Sequence, residues 1–329
     1  MLKRLVNECS FCLTLSCKGP LLIKEGRYEK PESDKKMPDS FFLCRNTPDE
    51  MKAAVERNDF ANIRFYIPGS SLRGVIRSHA EMIVRTLTRD DPICCIPHNN
   101  FACDKGYKDS CMICKLFGST GGASRISIHD SEIIKNGNVT ERYGIAIDRF
   151  TGGVSESEGH GMLFKHTPLE NYHFKSHIII RNFEIWQLGL LAYVLRDFNI
   201  FTGKDEPGLI TIGSGKNKGF GRVKGSIEGI WITYYDKDIK RKSYELIGIG
   251  EINTSTSDDY GFIKNDQLLN GLLHEAIIDD DMPYKKRCKV KDNYLFFKAC
   301  ATVWNKAITE KKFKPVRELR ENDEKGNDL

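Results

Sequence analysis

The chain has 329 residues, which is enough for two average domains or for one domain with long insertions. Hydrophobic residues make up 40% and charged residues 29%, a balance typical of a globular protein with a packed core. The net charge of +5 permits a local nucleic-acid-binding patch but excludes a histone-like polycation. No segment reaches the roughly 18 apolar residues of a membrane span. No secretory signal follows Lys3, so we expect a cytoplasmic protein with reduced thiols.

The first part of the chain combines one strand with a long polar loop. Residues 9–17 alternate weakly between apolar and polar positions and predict a β-strand. The loop that follows, Lys18–Arg45, contains several prolines and carries two acidic residues, Asp34 and Asp39. Residues 48–60 then predict a short helix.

The next helix follows a Gly-Ser-Ser turn. Seven apolar residues at helical spacing give it one apolar face: Leu72, Val75, Ile76, Ala80, Ile83, Val84 and Leu87. Ser70 or Ser71 suits the N-cap, so the turn at Gly69 would point free N–H groups at a phosphate, with Arg73 assisting from the polar face. The alternative is an ordinary capped helix with solvated arginines.

A cysteine-rich insertion, 90–118, follows that helix. Cys111 and Cys114 have the spacing of half a zinc knuckle, and tetrahedral Zn(II) needs two further thiolates or imidazoles. Cys103 is the third predicted ligand and Cys95 the fourth. His98 and Cys94 are the alternatives to Cys95. Because four protein ligands leave no open coordination position, the zinc would be structural.

The remaining elements complete a β-α-β-β-α-β order, which predicts an α+β, ferredoxin-like (RNA-recognition-like) core. They are a strand at 125–133, a protruding hairpin at 144–166, a strand at His177–Ile180, a helix at Phe183–Phe198 and a strand at Ile230–Tyr235. We therefore assign residues 1–250 to the core and 251–329 to a C-terminal extension. In the extension, Leu295–Ala307 predicts a helix and Arg317–Leu329 a disordered tail.

The glycine loop, Ile212–Val223, contains four glycines and three cations. Glycine lets the backbone adopt positive φ and lets a polyanion come close to the main chain, while lysine and arginine supply charge. The loop precedes a strand and lacks the P-loop pattern. The residues we assign to RNA binding here are Lys216, Lys218, Gly219, Phe220 and Arg222. The alternative is a flexible lysine-rich hairpin turn.

Four motifs together resemble the RAMP (repeat-associated mysterious protein) superfamily. They are Ile67–Gly74, Cys111–Gly118, Ile147–Gly153 and Gly213–Val223. The resemblance spans roughly residues 9–235 and is closest to a backbone subunit of a type III CRISPR effector complex.

The resemblance implies a modified RNA-recognition fold in a subunit that polymerises along a guide RNA and displays it to target RNA. The implied partners are the CRISPR guide RNA, the target RNA, other RAMP subunits and the large subunit, in a prokaryotic cytoplasm without a membrane. The hairpin would be a thumb that bends at Gly152 and Gly153. Phe150 or Met162 would wedge against bases.

The resemblance also implies cleavage of the target RNA by a loop aspartate with Mg(II) or Mn(II), the adjacent 2′-hydroxyl attacking the phosphate. Asp39 is the predicted catalytic residue because Asp39–Arg45 resembles the family stretch Asp-Ser-Pro-Val-Ile-Arg, although Phe41 replaces the proline. Asp34 is the alternative, and both are also ordinary loop residues beside prolines. Two other functions stay open: a non-cleaving RAMP subunit that binds guide RNA or caps the filament, and a guide-processing endonuclease.

Overall fold

The structure is a computed structural model of the chain. The residues that it describes are 4–24, 26, 37–89, 92–95, 103–104, 106–157, 160–161, 163–235, 245–252, 260–268, 271–274, 277–279 and 282–315. They form antiparallel sheets with helices packed against them, which confirms the predicted α+β class. None of the helices in this described part is long and apolar enough to cross a membrane. The predicted tail, Arg317–Leu329, lies outside the described residues.

The elements are numbered in chain order. The strands are β1 (Asn7–Cys17), β2 (Ser40–Phe41), β3 (Tyr66–Ile67), β4 (Ile126–Ile128), β5 (Ser131–Lys135), β6 (Asn138–Val139), β7 (Arg142–Ile145), β8 (Glu156–Ser157), β9 (His160–Gly161), β10 (Leu163–Thr167), β11 (Leu169–Glu170), β12 (His173–Arg181), β13 (Val223–Tyr235), β14 (Leu246–Ile247), β15 (Gln267–Leu268), β16 (Ile277–Asp279) and β17 (Met282–Lys289). The α-helices are α1 (Pro48–Arg57), α2 (Gly69–Leu87), α3 (Met112–Phe117), α4 (Ile185–Arg196), α5 (Ile249–Ile252) and α6 (Asn293–Thr309). Within the described residues, 3₁₀ turns cover Tyr107–Asp109 and Lys216–Lys218.

The main sheet is built around β1. Among the described residues, its order is β16-β17-β13-β1-β12-β5-β3, with β4 also paired to β12. β1 pairs antiparallel with β12 on one side and with β13 on the other. Phe11, Leu13 and Leu15 alternate with polar residues along β1 and are buried. They face the helices, since the ring centroids of Phe11 and Phe297 on α6 are 5.9 Å apart.

The C-terminal residues pack directly against the core. β17 extends the main sheet by pairing with β13, and α6 covers α4, which is buried along nearly its whole length. Gly189 allows the two helices to touch, because a Cβ there would lie 2.2 Å from the carbonyl oxygen of Cys300. The predicted helix at Leu295–Ala307 is confirmed within α6. The division of the chain at residue 250 stays a prediction.

A smaller sheet attaches the polar loop to the hairpin. β10 pairs parallel with β2 and antiparallel with β7. The loop after β1 therefore joins the base of the hairpin through β2, which begins directly after Asp39.

The strand predicted at 125–133 is interrupted in the structure. It forms two strands, β4 and β5, with Asp130 between them. At this break the Asp130 carboxylate accepts a hydrogen bond from the amide of Gly69, a tertiary contact that the local sequence does not reveal.

Candidate nucleic-acid interface and metal centre

The glycine loop is an ordered turn. Lys216–Lys218 form its 3₁₀ turn, and Gly215 and Gly219 on either side adopt left-handed backbone conformations with φ of 76° and 82°. The amides of Lys218 and Phe220 both donate to the carbonyl of Gly215, at 2.8 and 3.2 Å. The loop closes on itself because two glycines adopt φ values that side-chain-bearing residues rarely adopt.

Two other glycines bring the loop against the segment after β1. Ser214 N donates to Leu22 O and Gly221 N donates to Pro20 O, both at 2.7 Å. A Cβ at Gly213 would lie 2.3 Å from Leu22 O, and a Cβ at Gly221 would lie 2.0 Å from the carbonyl of the residue before Gly213. These two glycines therefore permit close packing within the protein. Our prediction that glycine here serves the approach of a ligand does not apply to them.

The side chains of the loop divide into an exposed set and a buried ring. Lys216, Lys218, Gly219 and Arg222 are exposed, and a Cβ on Gly219 would have no neighbour within 4 Å. Phe220 is only 8% exposed and packs beneath Gly215. The loop thus presents three cations outward, whereas the ring of Phe220 supports the turn from inside.

A groove of about 630 Å³ separates the glycine loop from α2. Ser71 lines it from α2, and Gly213 and Lys216 line it from the loop. His79 Nε2 and Asp197 Oδ2, 2.7 Å apart in the same groove, connect α2 to the end of α4. The groove is an open channel with cationic and hydroxyl groups on its walls, which suits a nucleic-acid backbone.

The turn at the start of α2 differs from our prediction. The helix begins at Gly69 with Pro68 at its N-cap, so the N-cap predicted at Ser70 or Ser71 is wrong. Gly69 N donates to Asp130 Oδ1 at 2.9 Å, which places a carboxylate at the position predicted for phosphate. Ser70 and Ser71 are exposed in the first turn, whereas Gly69 is buried.

The arginines of α2 contact the cysteine insertion. Arg73 donates to the carbonyl of Phe117, and Arg77 donates to Gly118 O at 3.2 Å and to Cys114 Sγ at 3.7 Å. Burial lowers the pKa of Arg73. These guanidinium groups donate hydrogen bonds to carbonyls at the C-terminus of α3, which have no partner within the helix. The local sequence does not reveal this capping role.

Asp39 lies at the base of the hairpin. Its Oδ2 accepts a hydrogen bond from Lys165 N at 2.6 Å, and its own amide donates to Lys165 O at 2.8 Å. The neighbouring Ser40 Oγ lies 2.7 Å from His166 Nδ1. Asp34 lies outside the described residues.

His166 joins this corner to the glycine loop. Its pKa is lowered by burial and by the charges of Lys218 and Lys24, while Asp39 acts in the opposite direction. In sequence, His166 is the last residue of the predicted hairpin, 144–166, where it would be exposed or face RNA. The sequence does not reveal this contact because the polar loop, the hairpin and the glycine loop are far apart along the chain.

The hairpin projects apolar side chains into solvent. Leu163 pairs with Ile145 across β10 and β7, and both side chains are more than half exposed. At the tip, the Asp148 carboxylate accepts hydrogen bonds from the amides of Phe150 and Thr151, and Phe150 is 99% exposed. Gly152 has a φ of 66° at the predicted bend. Gly153 follows it, and Met162 lies outside the described residues.

The four predicted metal ligands come together in one buried cluster. The Sγ atoms of Cys95, Cys103, Cys111 and Cys114 all lie within 4.8 Å of one another, and Cys95 Sγ is 3.5 Å from Cys114 Sγ. Tetrahedral Zn(II) with Zn–S bonds of about 2.3 Å places its thiolates about 3.8 Å apart. Cys94 Sγ donates to the carbonyl of Cys95 and also hydrogen-bonds to Cys111, but it is not one of the four mutually close sulfurs. The alternative His98 lies outside the described residues.

The chemistry of the cluster also fits a metal. Cys111 N donates to Cys103 Sγ and Cys114 N donates to Cys111 Sγ, at 3.2 and 3.5 Å. Hydrogen bonds from the neighbouring thiols hold the pKa of Cys111 well below its usual value. Amide hydrogen bonds and the nearby Arg77 stabilise thiolate charge, so these four residues could hold a metal such as zinc.

A family model for the RAMP superfamily matches residues 14–224. The match covers more than half of the chain and includes α2, the cysteine cluster, the hairpin and the glycine loop. The chain therefore belongs to the RAMP superfamily, which indicates a CRISPR-associated RNA-binding protein. RAMP proteins generally bind CRISPR RNA and function in multi-subunit complexes. A search of curated proteins gives no match.

Proposed function

We propose that this chain is a guide-RNA-binding backbone subunit of a type III CRISPR effector complex. The observation that carries the proposal is the glycine loop, whose cations Lys216, Lys218 and Arg222 are exposed and whose Lys216 lines the groove shared with α2. We also infer a ferredoxin-like core, because the strand order β13-β1-β12-β5 combines with α2 and α4 in the β-α-β-β-α-β sequence. The partners in this proposal are the guide RNA, the target RNA, other RAMP subunits and the large subunit.

The binding mode is electrostatic and independent of base sequence. Lysine and arginine at an open groove contact phosphates, and serine at the α2 wall contributes hydroxyl donors. Arg73 belongs to the predicted set, but its hydrogen bond to Phe117 O supports a structural role for it. We therefore assign the phosphate contacts to Lys216, Lys218 and Arg222.

The hairpin is proposed to act as the thumb that separates bases of the guide–target duplex. Its exposed apolar residues, Tyr143, Ile145 and Leu163, would lie against base faces, with Phe150 at the tip. Aromatic and apolar side chains that insert between bases offset part of the unstacking free energy. Deleting residues 152–162 should leave the monomer folded and disturb the regular protection of RNA from nucleases.

Target cleavage is the further part of the proposal. Asp39 lies at the corner where the hairpin base meets Lys218, so an RNA held by the glycine loop would pass close to its carboxylate. Asp39 would orient the attacking 2′-hydroxyl, and Lys218 would stabilise charge on the phosphate. A divalent cation such as Mg(II) or Mn(II) would supply further charge stabilisation when bound.

A non-cleaving subunit is the second candidate, and one contact favours it. The Asp39 carboxylate already accepts the Lys165 amide, which is a structural role of its own. The two roles are separable, because asparagine keeps an acceptor oxygen for that amide but removes the charge.

The test is cleavage of target RNA by the assembled complex with Mg(II) or Mn(II). We expect cuts at regular intervals with the unaltered chain, and none with either Asp39→Asn or Asp39→Ala, while guide and target binding persist. If Asp39→Ala loses cleavage and Asp39→Asn keeps it, Asp39 is a positioning residue. Full cutting in both variants, and in the double variant with Asp34→Ala, would leave the subunit a scaffold.

A further inference from the structure

A second basic site lies at the end of the main sheet opposite to the glycine loop. The last residue of β1 is followed by Lys18, whose amide donates to Arg222 O at the end of the loop. The other end of β1 lies beside the last residue of β12, since Glu8 pairs with Arg181. With 11 residues at about 3.3 Å each, β1 separates the two ends by roughly 30 Å.

This end of the sheet contains a cavity of about 480 Å³, which we call the Arg125 pocket. Its lining includes three arginines, Arg4, Arg125 and Arg181, and no aspartate or glutamate among the described residues. Asn182 fixes one rim, because its side chain donates to Arg4 O and accepts from Val6 N. The volume lies in the range of small-molecule sites.

Two of the arginines lie directly opposite each other. Arg181 N donates to Arg125 O at 2.9 Å, which continues the antiparallel ladder in which Ile180 pairs with Ile126. Opposed residues in such a pair lie on the same face of the sheet, and like charges there are destabilising. Glu8 on β1 already offsets part of this repulsion, since Arg181 Nε donates to Glu8 Oε2 at 3.1 Å, and an anion between the two guanidinium groups would reverse its sign.

Arg125 has an unsatisfied donor. Its guanidinium lies 4.0 Å from the ring centroid of Tyr107 and 5.4 Å from that of Phe262. Nη1 is buried and has no hydrogen-bond partner among the described residues. Buried polar atoms in folded proteins nearly always have a partner, so this group requires an acceptor.

We propose that the Arg125 pocket binds the phosphate group of a nucleotide. Tyr107, whose hydroxyl donates to Glu184, holds the Arg125 guanidinium in one plane. A planar guanidinium donates two parallel hydrogen bonds to phosphate oxygens, and Arg181, whose Nε donates to Glu8, offers its other guanidinium N–H groups from across the ladder. The site is distinct from the glycine loop, and it does not depend on that loop binding RNA.

The experiment measures ligand binding to the full chain by calorimetry at fixed, low salt. The probes are AMP, adenosine, inorganic phosphate and a short 5′-phosphorylated RNA. We expect AMP to bind and adenosine to bind at least about tenfold more weakly, since adenosine lacks the charge-assisted hydrogen bonds. Binding of the RNA without AMP would assign the pocket to a phosphate of an RNA strand only if Arg125→Gln weakens it, and RNA binding that Arg125→Gln leaves unchanged would overturn the proposal.

Variants make the result specific. Arg125→Gln and Arg181→Gln should each weaken AMP binding about tenfold, and Arg181 is more than half exposed, so its variant tests binding even if Arg125→Gln unfolds. Arg57→Gln, an exposed change at the end of α1, is the matched control and should bind like the unaltered chain. Equal affinities in all three variants, or no binding of any phosphate-bearing probe, would overturn the proposal.

A double variant of the glycine loop separates this proposal from the proposed binding of RNA by that loop. Lys216→Gln with Lys218→Gln should weaken guide-RNA binding and leave AMP binding unchanged. Loss of AMP binding in that double variant would place the nucleotide at the glycine loop and overturn the Arg125 pocket.

Discussion

The glycine loop and the start of α2 look alike in sequence but differ in structure. Both combine glycine and cations, and both were predicted to bind phosphate. In the glycine loop, Lys216 and Lys218 are exposed. At α2, Asp130 already accepts the Gly69 amide, and Arg73 already donates to a carbonyl. A turn is therefore open to an external anion only where the protein has not supplied its own acceptor.

The different outcome comes from distant partners. Asp130 is 61 residues from Gly69, and Phe117 is 44 residues from Arg73. The Lys216–Lys218 turn is closed by a contact within the loop, from Lys218 N to the Gly215 carbonyl, although distant residues of the segment after β1 anchor both ends of the loop. Local motifs are therefore more informative about the glycine loop than about α2.

The largest expected effect tests the attachment of α2 to the metal centre. Cys111→Ser should lose the bound metal and cost several kcal/mol of folding free energy, because structural zinc contributes on the order of 10 kcal/mol. Hydrogen exchange should increase around Arg73 and α3 more than in the glycine loop. The measurements are zinc content, expected near one per chain, and amide exchange.

Cys12→Ser is the matched control for that prediction. Cys12 lies on β1, is half-buried and is outside the cysteine cluster. It should keep the metal and the stability. Zinc far below one per chain in freshly purified protein would contradict the metal centre.

The next largest effect on stability distinguishes Gly219 from Gly221, two glycines of the loop that share a φ of 82°. Gly221→Ala should destabilise the chain strongly, since its Cβ would lie 2.0 Å from Ile212 O. Gly219→Ala should cost only about 1–2 kcal/mol, the penalty of the left-handed conformation, since no atom lies near its Cβ. Thermal denaturation checks the order, and equal losses would contradict the packing described here.

Gly219 also tests the role of the loop in RNA binding. Gly219→Val should weaken guide-RNA affinity more than any single lysine change, because a β-branched residue disfavours positive φ and blocks the approach of the backbone. Unchanged affinity in folded Gly219→Val would mean that the loop faces away from RNA.

Cation variants compare the two turns directly. Lys216→Gln, Lys218→Gln and Arg222→Gln should each weaken RNA binding for all sequences and lower the salt slope by about one unit. Arg73→Gln should leave the slope unchanged and lower the melting temperature, since it removes the hydrogen bond to Phe117. A slope change in Arg73→Gln equal to that in Lys216→Gln would return Arg73 to the RNA-binding set.

Sequence reasoning worked where the informative residues are near each other in the chain. The spacing of Cys111 and Cys114, with Cys103 nearby, indicated a metal centre, and apolar periodicity indicated α2, α4 and α6. It failed at the N-cap of α2, because Asp130, which accepts the Gly69 amide, lies between β4 and β5, 61 residues along the chain. It also missed the corner of Asp39 and His166, which β-pairing between distant segments brings together.

The smallest expected effect tests whether the positive charge of the glycine loop lowers the pKa of His166. Burial and the charges of Lys218 and Lys24 lower the pKa of His166 below its usual 6.5. The folded state therefore favours the neutral ring, so the stabilising contribution is present above pH 6.5 and is lost as the pH falls through the lowered pKa. His173 and His177 have lowered pKa values as well, so variants isolate the contribution of His166.

Compared with the unaltered chain, His166→Gln should lose less stability on acidification, by no more than about 1.4 kcal/mol for each unit of pKa shift. Lys218→Gln should act in the same direction by raising the pKa of His166 toward its usual value, whereas Arg73→Gln on the α2 side should not. Urea denaturation across the pH range measures the difference, and NMR titration of the ring reports the pKa directly. An unchanged His166 pKa in Lys218→Gln would show that burial and Lys24 lower it and that the charge of the glycine loop does not reach the hairpin base.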